Sequence, residues 1–138
     1  MVGETNLTQL LLSMSPILVD DEYVFCSIKA HENGTRSNQK DYSELSPIAT
    51  FQESEGLTLV LTKDNADKAS LPYDSTFRCI TLAVHSSLEA VGLTAAVATK
   101  LADKGISANV IAAYYHDHIF IQAAKADLAM VALAEFSR

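Results

Sequence analysis

HSSLEAVGLTAA, residues 85–96, lies between a strand-like segment and a helix-like one, and its reading decides how the rest of the chain is organised. Ahead of it, Phe77 to Val84 alternates as a half-buried strand does, with Ile80, Leu82 and Val84 on one face and Cys79, Thr81 and Ala83 on the other. Ser86 and Glu89 stand three apart before an apolar run. That is the spacing of a capping box, in which the hydroxyl accepts from the Glu89 amide and the carboxylate reaches back to the Ser86 amide. The pattern predicts a helix running to about Lys104, with Val91, Ala95, Ala98 and Ala102 on one side and Gly105 as a left-handed C-terminal cap. Strand, tight turn and helix N-terminus are then contiguous. Unpaired amides and the positive end of the helix dipole make such a turn a candidate site for a carboxylate or phosphate group. The plainer alternative is a well-capped helix without a ligand.

Downstream, Ile106 to Tyr115 reads as a strand, His116 and Asp117 as turn residues, and Ile119 to Gln122 as the returning strand of a hairpin. Lys125 to Phe136 reads as a helix, with Ala126, Ala129, Met130, Leu133 and Phe136 along one side. From residue 76 the order is therefore strand, helix, strand, strand, helix. This is one strand short of βαββαβ, the α+β ferredoxin-like arrangement of an antiparallel sheet with helices on one face. A missing strand leaves an open edge, which natural sheets tend to cover, so the N-terminal half is expected to supply it.

That half begins with Leu7, Leu10, Leu11 and Met14 at helical spacing behind Thr5 or Asn6, and Pro16 ends the pattern. Ile17 to Val19, an acidic turn at Asp20 to Glu22, and a strand from Tyr23 to Ile28 follow. Residues 31–47 carry neither period and are expected to be a long loop. Residues 48–52 and 57–62 read as strands joined by ESEG, with Gly56 free to take a positive φ and Leu57, Leu59 and Leu61 on one face. A short helix from about Asp64 to Ala69 and the connector Leu71 to Ser75 complete the half. The expected organisation is two incomplete units, 1–75 and 76–138, exchanging elements.

At 138 residues the chain can bury roughly two-thirds of its unfolded surface, enough for a real core. Trp is absent, so that core must be aliphatic. A net charge of -7 lacks the basic footprint that nucleic acid requires. No apolar run reaches the roughly 18 residues of a membrane span, and the N-terminus has no basic signal region. Cys26 and Cys79 match no metal or redox spacing and are expected to be reduced sheet residues, which places the protein in the cytoplasm.

Tyr114-Tyr115-His116-Asp117-His118, with His85 nearby, is the sharpest local cluster. A His-x-His pair could hold a divalent ion, but no clear fourth ligand is in reach, so no metal or cofactor is expected. Asp117 is explained by turn conformation, and Tyr114 and Tyr115 by one buried and one exposed strand position rather than a stacking platform. Ser86 or Ser87 beside His85 invites a nucleophile reading, yet adjacent residues at a strand end point apart and no orienting group is evident. The chain is not expected to be an enzyme.

SMSPILVDDEYVFCSI (13–28), EGLTLVLT (55–62), CITLAVHSSLEAVGLTAA (79–96) and ISANVIAAYYHDHIFI (106–121) closely resemble a family of small bacterial proteins with ACT-type domains. These uncharacterised proteins are similar in architecture to the ACT domains of eukaryotic cytosolic arginine sensors. The resemblance implies tandem ACT-like units and regulatory binding of a small molecule, an amino acid or similar metabolite, at an interface between two units. It places the ligand at His85, Ser86, Ser87 and Leu88, with Val91 and Gly92 one helical turn on, and with Tyr115, His116 and Asp117 closing from the hairpin. Gly92, read as mid-helix, suggests close approach of a backbone or ligand there. No catalytic domain is expected beside these units, so the output would be a partner in trans or the protein's own assembly, a homodimer being the simplest. A ligand-free dimerisation or protein-interaction module is the alternative.

Overall fold

The computed structural model describes residues 6–30 and 42–137. The first helix, α1 (Leu7–Leu12), opens behind Asn6, whose side chain accepts from the Gln9 amide, and buries Leu10. Pro16–Lys29 then forms one strand, β1. Asp20, Asp21 and Glu22 are therefore mid-strand residues and not a turn. The backbone on both sides of them is engaged in ladders, which overrides the weak strand preference of Asp and Glu, while the carboxylates stay in water. The loop expected at 31–47 lies outside the described residues as far as 41, and Tyr42–Leu45 form a single 3₁₀ turn.

Ala49–Glu53 (β2) and Gly56–Thr62 (β3) make the expected hairpin. At Gly56 a Cβ would stand 2.1 Å from the Ile28 carbonyl oxygen, so close approach of β1 demands glycine as much as the turn does. Thr62 caps α2 (Lys63–Lys68) by accepting from the Asn65 amide. The remaining elements are β4 (Phe77–Leu82), α3 (Leu93–Asp103), β5 (Asn109–Ala112), β6 (Asp117–Gln122) and α4 (Ala126–Ala134).

The chain divides into two compact units, one formed by residues 21–76 and the other by the described residues up to Asp20 together with those from Phe77 on. In the first, the strand order is β2-β3-β1. Val24, Cys26 and Ile28 of β1 stand opposite Leu61, Leu59 and Leu57 of β3, and this shared face packs on Ala66 of α2.

In the second unit the order is β1-β4-β6-β5. The β4–β6 and β5–β6 pairs are antiparallel. Beside β4, the Ala83 amide donates to the Ser15 carbonyl and the Val84 amide to the Met14 carbonyl, so the two segments also run in opposite directions. The Arg78 guanidinium donates to the Val19 carbonyl through Nε (3.2 Å) and Nη2 (2.8 Å). Residues 16–20 thus occupy the place of the fourth strand that the C-terminal half lacks, and the N-terminal half completes a ferredoxin-like sheet. Ile80 and Leu82 of β4 and Ile119 and Ile121 of β6 face the helices. They pack with Leu10 of α1, Val97 and Leu101 of α3, and Ala129 and Leu133 of α4. Burial of one such Leu or Ile contributes about 2 kcal/mol, which is why this aliphatic layer can hold the unit without Trp.

The C-terminus of α3 ends as its sequence predicts. Gly105 takes φ +73°, its amide donates to the Ala102 carbonyl, and the Ile106 amide donates to the Leu101 carbonyl, the paired bonds of a Schellman motif.

Candidate functional site

The N-terminus of α3 does not follow the capping-box reading. The helix begins at Leu93, not near Ser86, and Gly92 is its N-cap at φ +99° with no side-chain acceptor. Ser86 is unavailable as a cap because it is buried and its Oγ donates to Asp117 Oδ2 at 3.3 Å. Ser87 Oγ instead accepts from the Glu89 amide at 3.1 Å, and the Ala90 amide donates to the Ser87 carbonyl at 2.9 Å. These short-range bonds shape residues 86–92 as a compact loop. Leu88, expected at the ligand-binding turn, and Val91, expected on one side of the helix, are 63% and 83% exposed. Gly92 is thus the junction between loop and helix, with Leu7 against it. A Cβ added at residue 92 would meet Leu7 Cδ2 at 3.1 Å.

Asp117 also differs from its turn reading. It is a strand residue opposite Ala112, only 9% exposed, and by alternation it shares the helix-facing side with Ile119 and Ile121. Its carboxylate lines a crevice with Leu82, Leu93, Thr94, Val97 and Val110 at the start of α3. The crevice is too narrow to admit a water molecule, so any ligand at this end would have to lie outside it, over the 85–92 loop.

The chain reverses at Tyr114 and Tyr115, and the Ala113 amide closes the hairpin on the His116 carbonyl at 3.1 Å. Both tyrosines are exposed, 64% and 60%, instead of one being buried in a strand. Their rings meet edge to face with centroids 5.0 Å apart, and the His85 ring lies 5.3 Å from Tyr115 and 6.4 Å from Tyr114. His116 Nδ1 lies 3.4 Å from the Val84 carbonyl. On the opposite side of β6 from Asp117, His118 Nδ1 shares a 2.9 Å hydrogen bond with Thr81 Oγ1. Burial, and then the nearby His116, hold the His118 imidazole below its usual range, against a smaller opposing pull from Asp117.

Of the residues singled out in the sequence, the fold therefore joins Ser86 to Asp117, His85 to Tyr115, and His116 to Val84, just after β4. Leu88 and Val91 instead turn outward. Leu7, Leu93 and Thr94 were not foreseen as neighbours, whereas Tyr114 belongs to the cluster with His85 that the sequence singled out. Chemically the arrangement offers a buried carboxylate, a hydroxyl, free first-turn amides and exposed rings. Ser86 Oγ is directed to Asp117 and not to His85, so the hydroxyl–imidazole pair of a nucleophile is not formed. Among the described residues no three His, Cys, Asp or Glu side chains are grouped to hold a metal. Burial pushes both the Cys26 and Cys79 thiols up, which makes them poor nucleophiles. No helix among the described residues is long and apolar enough to cross a membrane.

An ACT domain model matches residues 2–78 and a second ACT domain model matches residues 74–135. Among solved structures, the chain is similar to a Vibrio cholerae protein of unknown function described as a possible transport protein. That similarity has 56% identity and a TM-score of 0.82 over 96% of each chain. The ligand-free regulatory subunit of aspartate kinase from Thermus thermophilus shares the fold at 12% identity and a TM-score of 0.66, over 89% of this chain and 97% of that one. Clostridium acetobutylicum aspartate kinase does so at 12% identity and a TM-score of 0.66, over 89% of this chain and 34% of the enzyme. No protein with a curated description matches. Two successive ACT matches, a close structural relative and a ferredoxin-like unit completed by β1 lead to one assignment: the chain belongs to the ACT-domain family, with two ACT domains in tandem.

Proposed function

We propose that the protein is a non-catalytic regulatory module that binds an amino acid or similar small metabolite at residues 85–92 and 115–117. Its signal passes to a partner in trans or through its own assembly as a homodimer in the cytoplasm. The observation that carries the reading is the buried Ser86–Asp117 pair beside the uncapped start of α3. A carboxylate on the core face of a sheet has a desolvation cost, and one hydroxyl at 3.3 Å offsets only part of it. A ligand ammonium there would supply the missing donors, and the first-turn amides would receive the ligand carboxylate. Ser87, Leu88, Val91 and Gly92 would border this end, with His85, Tyr115 and His116 opposite.

The test is a thermal-shift titration of the full chain against the twenty amino acids. A specific ligand at 100 times its Kd should stabilise the fold by about 2.7 kcal/mol, and the shift should vanish in Asp117→Asn and shrink in Ser86→Ala. Indifference to every amino acid would sink the reading. It would favour a ligand-free interaction module, for which the outward-facing Leu88 and Val91 are the supporting feature.

A further inference from the structure

The last helix, α4, is apolar on both of its sides. Residues 128–134, LAMVALA, contain no polar or charged side chain. Ala126, Ala129, Ala132 and Leu133 explain the inner side, where they are buried in the core of their unit. The outer side has no such explanation: Leu128 is 47% exposed, Val131 is 58% exposed, and Ala134 is exposed beside them. A helix that is hydrophobic all round belongs inside a structure, because leaving either face in water has a cost.

The two ends of this outer stripe carry opposite charge. At its start, Asp127 has no ionic partner among the described residues. Just past its end, Glu135 is shared by two lysines of α3, Lys100 at 3.5 Å and Lys104 at 3.9 Å, so cations outnumber the carboxylate they hold. Lys100 also lies 5.1 Å over the Phe136 ring, which keeps it at that end.

At 3.6 residues per turn, positions 127, 128, 131, 134 and 135 share one side of the helix, with Val131 at its centre. When two such helices lie antiparallel about a two-fold axis at Val131, position 127 of one falls opposite 135 of the other, and 128 opposite 134. Asp127 then meets the lysines around Glu135, and the bulky Leu128 meets the small Ala134. Parallel alignment would instead set Asp127 against its own equivalent. The stripe complements itself in charge and in shape, and the occupant that fits it is a second copy of this chain.

We propose that α4 is the contact face of a homodimer, packed antiparallel on α4 of the second copy. This deepens the assembly part of the reading above and rests on it for the expectation of self-association, not on the binding of any ligand. A helix of 9 residues is only about 13 Å long, so its stripe is smaller than the roughly 800 Å² per partner of a standard interface. The dimer is therefore weak and reversible.

Sedimentation equilibrium of the full chain from about 1 µM to about 1 mM tests this, and the parent should pass from monomer to dimer within that range. Val131→Lys should weaken the dimer about 10-fold or more, because it places two charges at the centre of the contact. Ala134→Leu adds apolar surface but fills the space that Leu128 needs, and should weaken it about 3-fold or more. Asp127→Lys should weaken it about 5-fold, and combining it with Lys104→Asp should recover part of the loss. Val131, Ala134 and Asp127 are all exposed in the monomer, and an unchanged unfolding midpoint at low concentration checks that the fold is intact.

A dimer as stable in Val131→Lys as in the parent overturns the α4 face and leaves a homodimer standing. Tighter association in Ala134→Leu overturns the antiparallel packing, since general adhesion of apolar surface would respond that way. A parent that stays monomeric to about 1 mM overturns both the inference and the homodimer output, while amino-acid binding is read separately by thermal shift. A monomer that binds neutral phosphatidylcholine vesicles through Val131 overturns the inference and assigns the stripe to a lipid surface.

Discussion

The two ends of α3 are built on opposite plans. At the C-terminal end the last carbonyls receive the Gly105 and Ile106 amides, Lys125 Nζ donates to the Gly105 carbonyl at 2.6 Å, and Leu101 is fully buried. At the N-terminal end Gly92 supplies no side-chain acceptor, and the loop before it turns Leu88 and Val91 to solvent. The nearest buried polar groups there, Ser86 and Asp117, come from outside the helix. The chain closes one end with its own groups and leaves first-turn amides available at the other. Stability is concentrated at the closed end, and the proposed binding site lies at the open one.

The hardest test of that contrast is truncation at each end. Leu101→Ala should cost about 3 kcal/mol through lost burial and a residual cavity, and Leu88→Ala no more than about 0.5 kcal/mol, as read by urea unfolding. Comparable losses would erase the contrast. The two glycines come next. Gly105→Ala should cost about 1 kcal/mol, the ordinary penalty for an L-residue in left-handed conformation. Gly92→Ala should cost more, about 2 kcal/mol, because its Cβ also crowds Leu7. Adding Leu7→Ala to Gly92→Ala should therefore recover part of the loss, a coupling that a double-mutant cycle measures.

Asp117→Asn should sharpen the comparison further. In the free protein it should shift stability by less than about 1 kcal/mol in either direction, since it removes a buried charge while keeping a partner for Ser86. Any amino-acid response should nevertheless be lost. A large destabilisation would instead identify Asp117 as a structural group. The smallest effect concerns His118. Burial favours its neutral form in the fold, so the stability it contributes is present above the unfolded value near 6.5 and is lost as pH falls through that value toward the depressed folded one. The wild-type melting midpoint should therefore drop more between pH 7 and pH 5 than that of His118→Gln, which can still bond Thr81.

The sequence was most legible where a local signal and the tertiary structure agree. Asn6 caps α1, Gly105 ends α3, and Leu57, Leu59 and Leu61 mark the inner face of β3, because hydrophobic period and cap chemistry are properties of neighbouring residues. The site was less legible, because its decisive contacts span long separations. Ser86 to Glu89 has the spacing of a capping box, yet Asp117, distant in sequence, takes the Ser86 hydroxyl and so moves the helix start to Leu93. Asp117 read as a turn residue because its own neighbours are polar and aromatic, and only the register with Ala112 turns it inward. The acidic triplet of β1 misled for the same reason, since pairing partners on either side of it are invisible in the local pattern.

That strand has a consequence for the order in which the protein can be made. Residues 16–20 lie along β4, but Phe77 to Val84 are synthesised much later than Met14 to Asp20. At typical elongation speeds of about 5–20 residues per second, the early segment emerges from the ribosome and waits several seconds for its partner. An unpaired strand edge on a nascent chain invites pairing with another copy emerging from the same message. Asp20, Asp21 and Glu22 stand at the end of that segment, and charges of one sign on a strand edge disfavour such pairing.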